Sequence, residues 1–183
     1  MDNKNFISTF SGIRFNPTEP AVQNIKIEDI AHALSLICRG NGHIRAFYSV
    51  AQHSICCAVE AEKRGYSKRI QLLCLLHDAS EAYIGDMTRP LKRQIPVFSI
   101  FEEKMQSVIF SALDIEEPDE EEQKAVKSID DAMLYHEFKM MNGHELFEEV
   151  PKIHIEISDS FKDFKSVEKE FLGLYNCLSE EEK

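Results

Sequence analysis

The chain has 183 residues, 43% hydrophobic and 29% charged, with a formal net charge of −11. That length suits one domain able to bury about two-thirds of its unfolded surface, and the charge excludes a bulk nucleic-acid binder, which needs a basic stripe to displace counterions. Five cysteines without a C-x-x-C pair read as reduced core thiols, and no apolar run approaches the ~18 residues of a membrane span. A polar stretch from Met1 to Thr9 stands where a signal peptide would need an apolar core, so the expectation is a cytoplasmic protein with no membrane contact.

Residues 6 to 20 set Ile13 and Phe15 against Arg14 and Asn16, an alternation that predicts a short strand or hairpin before the Pro-bounded stretch Asn16 to Pro20. From Ile27 the period turns helical through Ile30, Leu34 and Ile37, with a stop at Gly40-Asn41-Gly42. A second helix is expected from about Ser49, its cap, to Lys63, closing at Gly65. A third covers roughly Ser67 to Ile84, closing at Gly85, and its apolar residues Ile70, Leu73, Cys74 and Leu76 lead into His77 and Asp78.

Phe98, Phe101, Met105, Val108, Ile109 and Leu113 repeat at helical spacing. The acidic run Asp114 to Glu122, broken by Pro118, reads as a solvated loop and helix start, since carboxylates suit a helix N-terminus. The next helix, about Glu121 to Met141, carries the stripe Val126, Ile129, Met133, Leu134 and Met140 and stops at Asn142-Gly143. A last helix, about Ser160 to Cys177, is expected to bury Phe161, Phe164, Val167, Phe171 and Leu174. The whole predicts an all-α, single-domain helical bundle over 1–183, with its core at about 25–141 and 142–183 packed on it as a helical extension.

Within this frame His77-Asp78 ends an apolar helical run, His53 lies on the preceding helix, and Asp130-Asp131 lie on a later one. Imidazoles and carboxylates drawn from packed helices make a site for a divalent metal, and burying such groups unpaired would be costly. Asp130 shares the stripe of Val126, Ile129, Leu134 and Glu137, whereas Asp131 is turned about 100° away, so Asp130 is the inward candidate. Glu81 stands one turn after His77 on the same face, a position suited to general acid/base work.

These residues, in this order, resemble the HD-domain phosphohydrolases, whose pattern is H…HD…D. The similarity is closest to the bacterial and phage 5'-deoxynucleotidase-like branch, in His77-Asp78-Ala79-Ser80-Glu81 followed by Gly85-Asp86 and Pro90-x-Lys92. The stretch Ile27 to His53 is similar to a bacterial and phage subgroup of the same superfamily, and the resemblance spans about residues 10 to 140. It implies the HD-domain fold, ligation of one divalent ion (Mn2+, Co2+, Zn2+ or Mg2+) by His53, His77, Asp78 and Asp130, a catalytic role for Glu81, and contact of Asp86 with a sugar hydroxyl. Arg39 falls roughly where that branch has a phosphate-contacting Arg, with Arg45 as its rival and Lys92 as a further phosphate-balancing cation.

The expected activity is release of phosphate from a deoxynucleoside monophosphate. The alternatives are a deoxynucleoside triphosphate phosphohydrolase or other phosphoester hydrolase and, from another class, a catalytically silent nucleotide-binding regulatory module. A small nucleotide is the expected partner, with homodimerisation common in such bundles. Each residue also has a plainer reading: a core hydrogen-bond network for the ligands, a capping or salt-bridging role for Glu81, turn chemistry for Asp86, a helix C-terminal charge for Arg39, and surface charges for Arg45, Arg89, Lys92 and Arg93.

Overall fold

The computed structural model describes residues 5–180. β1 (Ile7–Ser8) and β2 (Arg14–Phe15) pair antiparallel with Ile7 opposite Phe15. Gly12, in the turn between them, has a φ of +80°, a conformation that glycine adopts at little steric cost. The hairpin is tied to α1 (Ile27–Leu36) by Asp29, which accepts from the Ser11 backbone N–H at 2.6 Å and from the Ser11 hydroxyl at 2.8 Å. Phe15 is fully buried and stacks on Tyr83 with ring centroids 4.3 Å apart.

After α1 the chain makes a tight turn at 39–42 and returns along itself. Arg39 donates its backbone N–H to Tyr48, and Val50 donates to Ile37, which closes the 38–49 loop at its base. α2 (Val50–Lys63) then starts at the expected cap: the Ser49 hydroxyl accepts from the Gln52 backbone while the Gln52 side chain accepts from the Ser49 backbone. This reciprocal pair satisfies two donors that a helix start would otherwise leave open.

α3 (Lys68–Leu76) is capped by Ser67. It is followed by the short helices α4 (Glu81–Ile84) and α5 (Arg89–Lys92) and by the longer α6 (Pro96–Ala112). The single helix expected over Ser67 to Ile84 is thus interrupted at 77–80, and Gln106 of α6 is the cause. Its side-chain amide donates to the Leu76 carbonyl at 2.8 Å and accepts from the Ser80 N–H at 3.2 Å, the carbonyl and amide that an unbroken helix would pair with each other. A side chain inserted in that ladder breaks the helix where His77 and Asp78 stand.

α7 (Glu120–Asn142) opens on Asp119, whose carboxylate accepts from the backbone of Glu121 and Glu122, and ends at Gly143 in the left-handed conformation. Between α7 and α8 (Phe164–Ser179) the chain has no regular helix or strand, but Ile153, Ile155 and Ile157 pack against the core. Fully buried Glu60 of α2 fastens this segment, accepting from the His154 backbone at 2.7 Å and from Arg64 at 2.7 Å. α8 lies against α1, α2 and α3 and buries Val167, Phe171 and Leu178, so one apolar core runs from Phe15 to Leu178.

Two expectations are corrected here. α8 begins at Phe164 behind its Asp163 cap, so Phe161 lies ahead of the helix and is 71% exposed. All five cysteines are free, but only Cys57 and Cys74 are buried thiols; Cys38 and Cys56 are half-buried and Cys177 is exposed. Among the described residues, no helix is long and apolar enough to cross a membrane.

Candidate metal centre

Four side chains from three segments converge. His53, on the first turn of α2, is fully buried; His77 follows α3, Asp78 lies in the turn that Gln106 opens, and Asp130 stands midway along α7. His53 Nε2 lies 3.3 Å from His77 Nε2, 3.2 Å from Asp130 Oδ1 and 3.8 Å from Asp78 Oδ2. His77 Nε2 lies 3.2 Å from Asp78 Oδ2 and 3.8 Å from Asp130 Oδ1. The expected residues His53, His77, Asp78 and Asp130 are therefore brought together, whereas Asp131 turns to Arg89 and Lys127.

The orientation of the rings tests whether these donors suit an ion. His77 Nδ1–H donates to the Cys74 carbonyl at 2.7 Å, and His53 Nδ1–H donates to both oxygens of buried Glu137 at 2.9 and 3.0 Å. With each Nδ1 proton so committed, both Nε2 lone pairs face the same point, the arrangement of outer partners that metal-binding imidazoles ordinarily have. Ligands about 2.1 Å from a common ion stand roughly 3.0–3.4 Å apart in octahedral or tetrahedral sites. The closest donor separations here, 3.2–3.3 Å, are of that size.

Cys57, one turn after His53, offers another donor. Its Sγ is 3.5 Å from His53 Nε2, and His53, Cys57 and His77 form a group that could hold a metal ion. Each carboxylate lies 3.2 Å from one imidazole and 3.8 Å from the other, on either side of the 3.5 Å between this thiol and His53. Burial, then Asp130 and Glu137, hold the Cys57 thiol well above its ordinary pKa in the metal-free protein, a shift that a bound cation would oppose.

Electrostatically the centre calls for positive charge. Burial works against protonation of His77, but Asp78 and Asp130 raise its pKa well above the usual range; His53 is raised as well, with burial and Arg39 opposed by Glu137 and Asp130. Burial opposes ionisation of both aspartates, yet His77 and Arg39 lower Asp78 and the two imidazoles lower Asp130. Protons on the rings and a divalent ion between them are alternative ways of meeting the same two carboxylates.

Around this core Glu81, at the start of α4, is 5% exposed, and its Oε2 is buried with no hydrogen-bond partner among the described residues. Burial, followed by Asp78 and Asp86, pushes its carboxyl well above the usual carboxylate range. Arg39 is buried between Asp78 Oδ2 at 3.3 Å and Glu137 Oε2 at 3.6 Å, so it serves as a fixed counter-charge under the site. Asp86 accepts from the Gly40 N–H at 3.1 Å and steadies the turn that carries Arg39. Lys92 is engaged by Glu102 at 2.6 Å, and Arg45 is exposed on its loop; neither touches the four converging side chains.

Two residues join the site that the sequence did not name as site residues. Glu137 lies two turns beyond Asp130 on the face of α7 that the stripe identifies as buried, and that periodicity is the only signal it leaves. Arg89 is at the surface, as expected, but it also donates to Asp130 Oδ2 and to Asp131 Oδ1, both at 2.7 Å. Beside the centre a cleft of about 270 Å³ is lined by Leu73, His77, Phe110, Val126, Lys127 and Asp130, among others.

No family model matches the chain. It is 43% identical over 104 residues to the uncharacterized protein YfdR of Escherichia coli (strain K12), covering 57% of this chain and 56% of that protein. It is 42% identical over 91 residues to an uncharacterized protein of Rhodobacter capsulatus, covering 46% of this chain and 45% of that one. The chain thus spans about half the length of the curated relatives it matches.

Proposed function

We propose that the chain is a metal-dependent phosphohydrolase of the HD-domain type, using His53, His77, Asp78 and Asp130 to hold one divalent ion and releasing phosphate from a small nucleotide, a deoxynucleoside monophosphate. The observation that carries the reading is the pair of Nε2 atoms 3.3 Å apart, each held there by an acceptor on its own Nδ1 and flanked by two carboxylates. When bound, such an ion contributes Lewis-acid polarisation of a phosphoryl group and makes water more acidic.

The protein's own groups supply the rest. Glu81, whose carboxyl is pushed well above the usual range by burial and by Asp78 and Asp86, suits proton donation to the leaving oxygen. The cleft beside His77 and Asp130 is near the small end of ligand pockets and, with Leu73, Phe110 and Val126 in its walls, suits the flat base carried by the leaving nucleoside. The nearby cations are already paired, Arg39 with Asp78 and Glu137 and Lys127 with Asp131, which favours a single phosphoryl group over a triphosphate tail.

Elemental analysis of the purified protein, followed by assays of deoxy- and ribonucleoside mono-, di- and triphosphates with Mn2+ or Co2+, tests this. About one ion per chain, none after His77→Ala, and inorganic phosphate from the deoxymonophosphates are expected. Release of longer phosphates from triphosphates would replace the monophosphatase reading, and a metal-loaded protein silent on the whole panel would leave a nucleotide-binding module.

A further inference from the structure

Asp130 divides its carboxylate between two neighbourhoods. Oδ1 faces the imidazoles, 3.2 Å from His53 Nε2, while Oδ2 accepts from Arg89 at 2.7 Å. The other terminal nitrogen of Arg89 bonds Asp131, which is also held by Lys127 at 3.0 Å. We propose that Arg89 is the phosphate-receiving cation of this centre, masked by Asp130 until a divalent ion takes over that carboxylate. The inference rests on the metal-centre reading above.

Charge accounting supports it. Once Asp130 answers to a divalent ion and Asp131 retains Lys127, Arg89 is the cation whose two partners are both satisfied without it. Arg89 is also reachable, with its side chain 42% exposed, whereas the Arg39 side chain is 8% exposed and enclosed by carboxylates. Exposed ion pairs are weak, so turning Arg89 outward costs little, and its planar fork fits two phosphate oxygens at once. Lys92 is committed to Glu102 and has no planar fork.

The role makes two expectations of opposite sign. Arg89 competes with the ion for Asp130 but cooperates with it for phosphate. In Arg89→Gln, Co2+ binding measured against a chelator should tighten by about two- to fivefold. Calorimetric affinity of the Co2+-loaded protein for inorganic phosphate should fall by about tenfold or more, and Arg89→Lys, which keeps the charge and loses the fork, should fall between. Phosphate affinity unchanged in Arg89→Gln overturns the proposal, and so does Co2+ affinity that falls, because Arg89 would then merely brace Asp130. A wild-type protein that takes up no Co2+ removes the metal-centre reading and this inference together, whereas either of the first two results leaves that reading intact.

Discussion

Replacing Glu137 by Gln keeps the shape of a fully buried side chain and removes its charge. The carboxylate accepts from His53 Nδ1–H at 2.9 and 3.0 Å and from the Tyr48 hydroxyl at 3.0 Å, with the Arg39 guanidinium at 3.6 Å. An amide offers one acceptor oxygen, and its NH2 must then face another donor, the His53 ring or Arg39. Loss of an outer partner of this kind typically lowers metal affinity 10–100-fold, about 1.4–2.7 kcal/mol. Arg39, left with Asp78 as its anionic contact, should cost the metal-free fold about 1–3 kcal/mol, or roughly 2–12 °C in Tm for a chain of this size. Adding Arg39→Gln should restore much of the Tm without restoring metal affinity. Chelator competition and thermal melts of both variants separate the two effects. Metal affinity within about threefold of wild type, alongside a lowered Tm, would refute the argument and leave Glu137 as a stabiliser of the fold alone.

Glu81→Gln mimics the protonated acid, so the fold and metal content should persist while phosphate release drops by ~10²-fold or more; a variant that keeps its rate removes the proton-donor role. Both imidazoles have raised folded pKa values, so in the metal-free protein their contribution to stability is complete below about 6.5 and is lost as pH rises through the folded values. Ligation needs neutral rings, so the gain in Tm on adding Co2+ should grow from about pH 5.5 to about pH 8, and a gain constant over that range contradicts the donor set. Cys57→Ala should leave Co2+ affinity within about threefold and its absorption spectrum unchanged if the carboxylates ligate; a tenfold loss with disappearance of a sulfur charge-transfer band would place the thiol in the coordination sphere instead.

Helix ends were legible in the sequence because their signals are local. Ser49 with Gln52, and Gly143 after Asn142, fix boundaries through bonds within a few residues, and the stripe on α7 distinguishes Asp130 from Asp131 by angle alone. The interruption after Leu76 was not legible, because it depends on Gln106, 30 residues away. The stripe put Glu137 on the inward face of α7, but its role and that of Arg89 were hidden for the same reason: their partners lie 84 and 41 residues distant, and nothing in a charge or a stripe names a partner. Phe161 shows the converse, a large apolar residue beside a periodic run, shut out of the helix by the stronger cap at Asp163.

The two imidazoles are 24 residues apart in sequence, and the carboxylate that steadies one of them lies 84 residues along. Such a constellation cannot assemble until distant segments have docked, because closing those loops must precede any reward from the contacts they create. An ion meeting the half-collapsed chain would find scattered donors, while one meeting the finished bundle finds them already gathered. Its grip therefore belongs to the late side of the folding barrier: it should leave the speed of refolding nearly untouched and lengthen the lifetime of the native state.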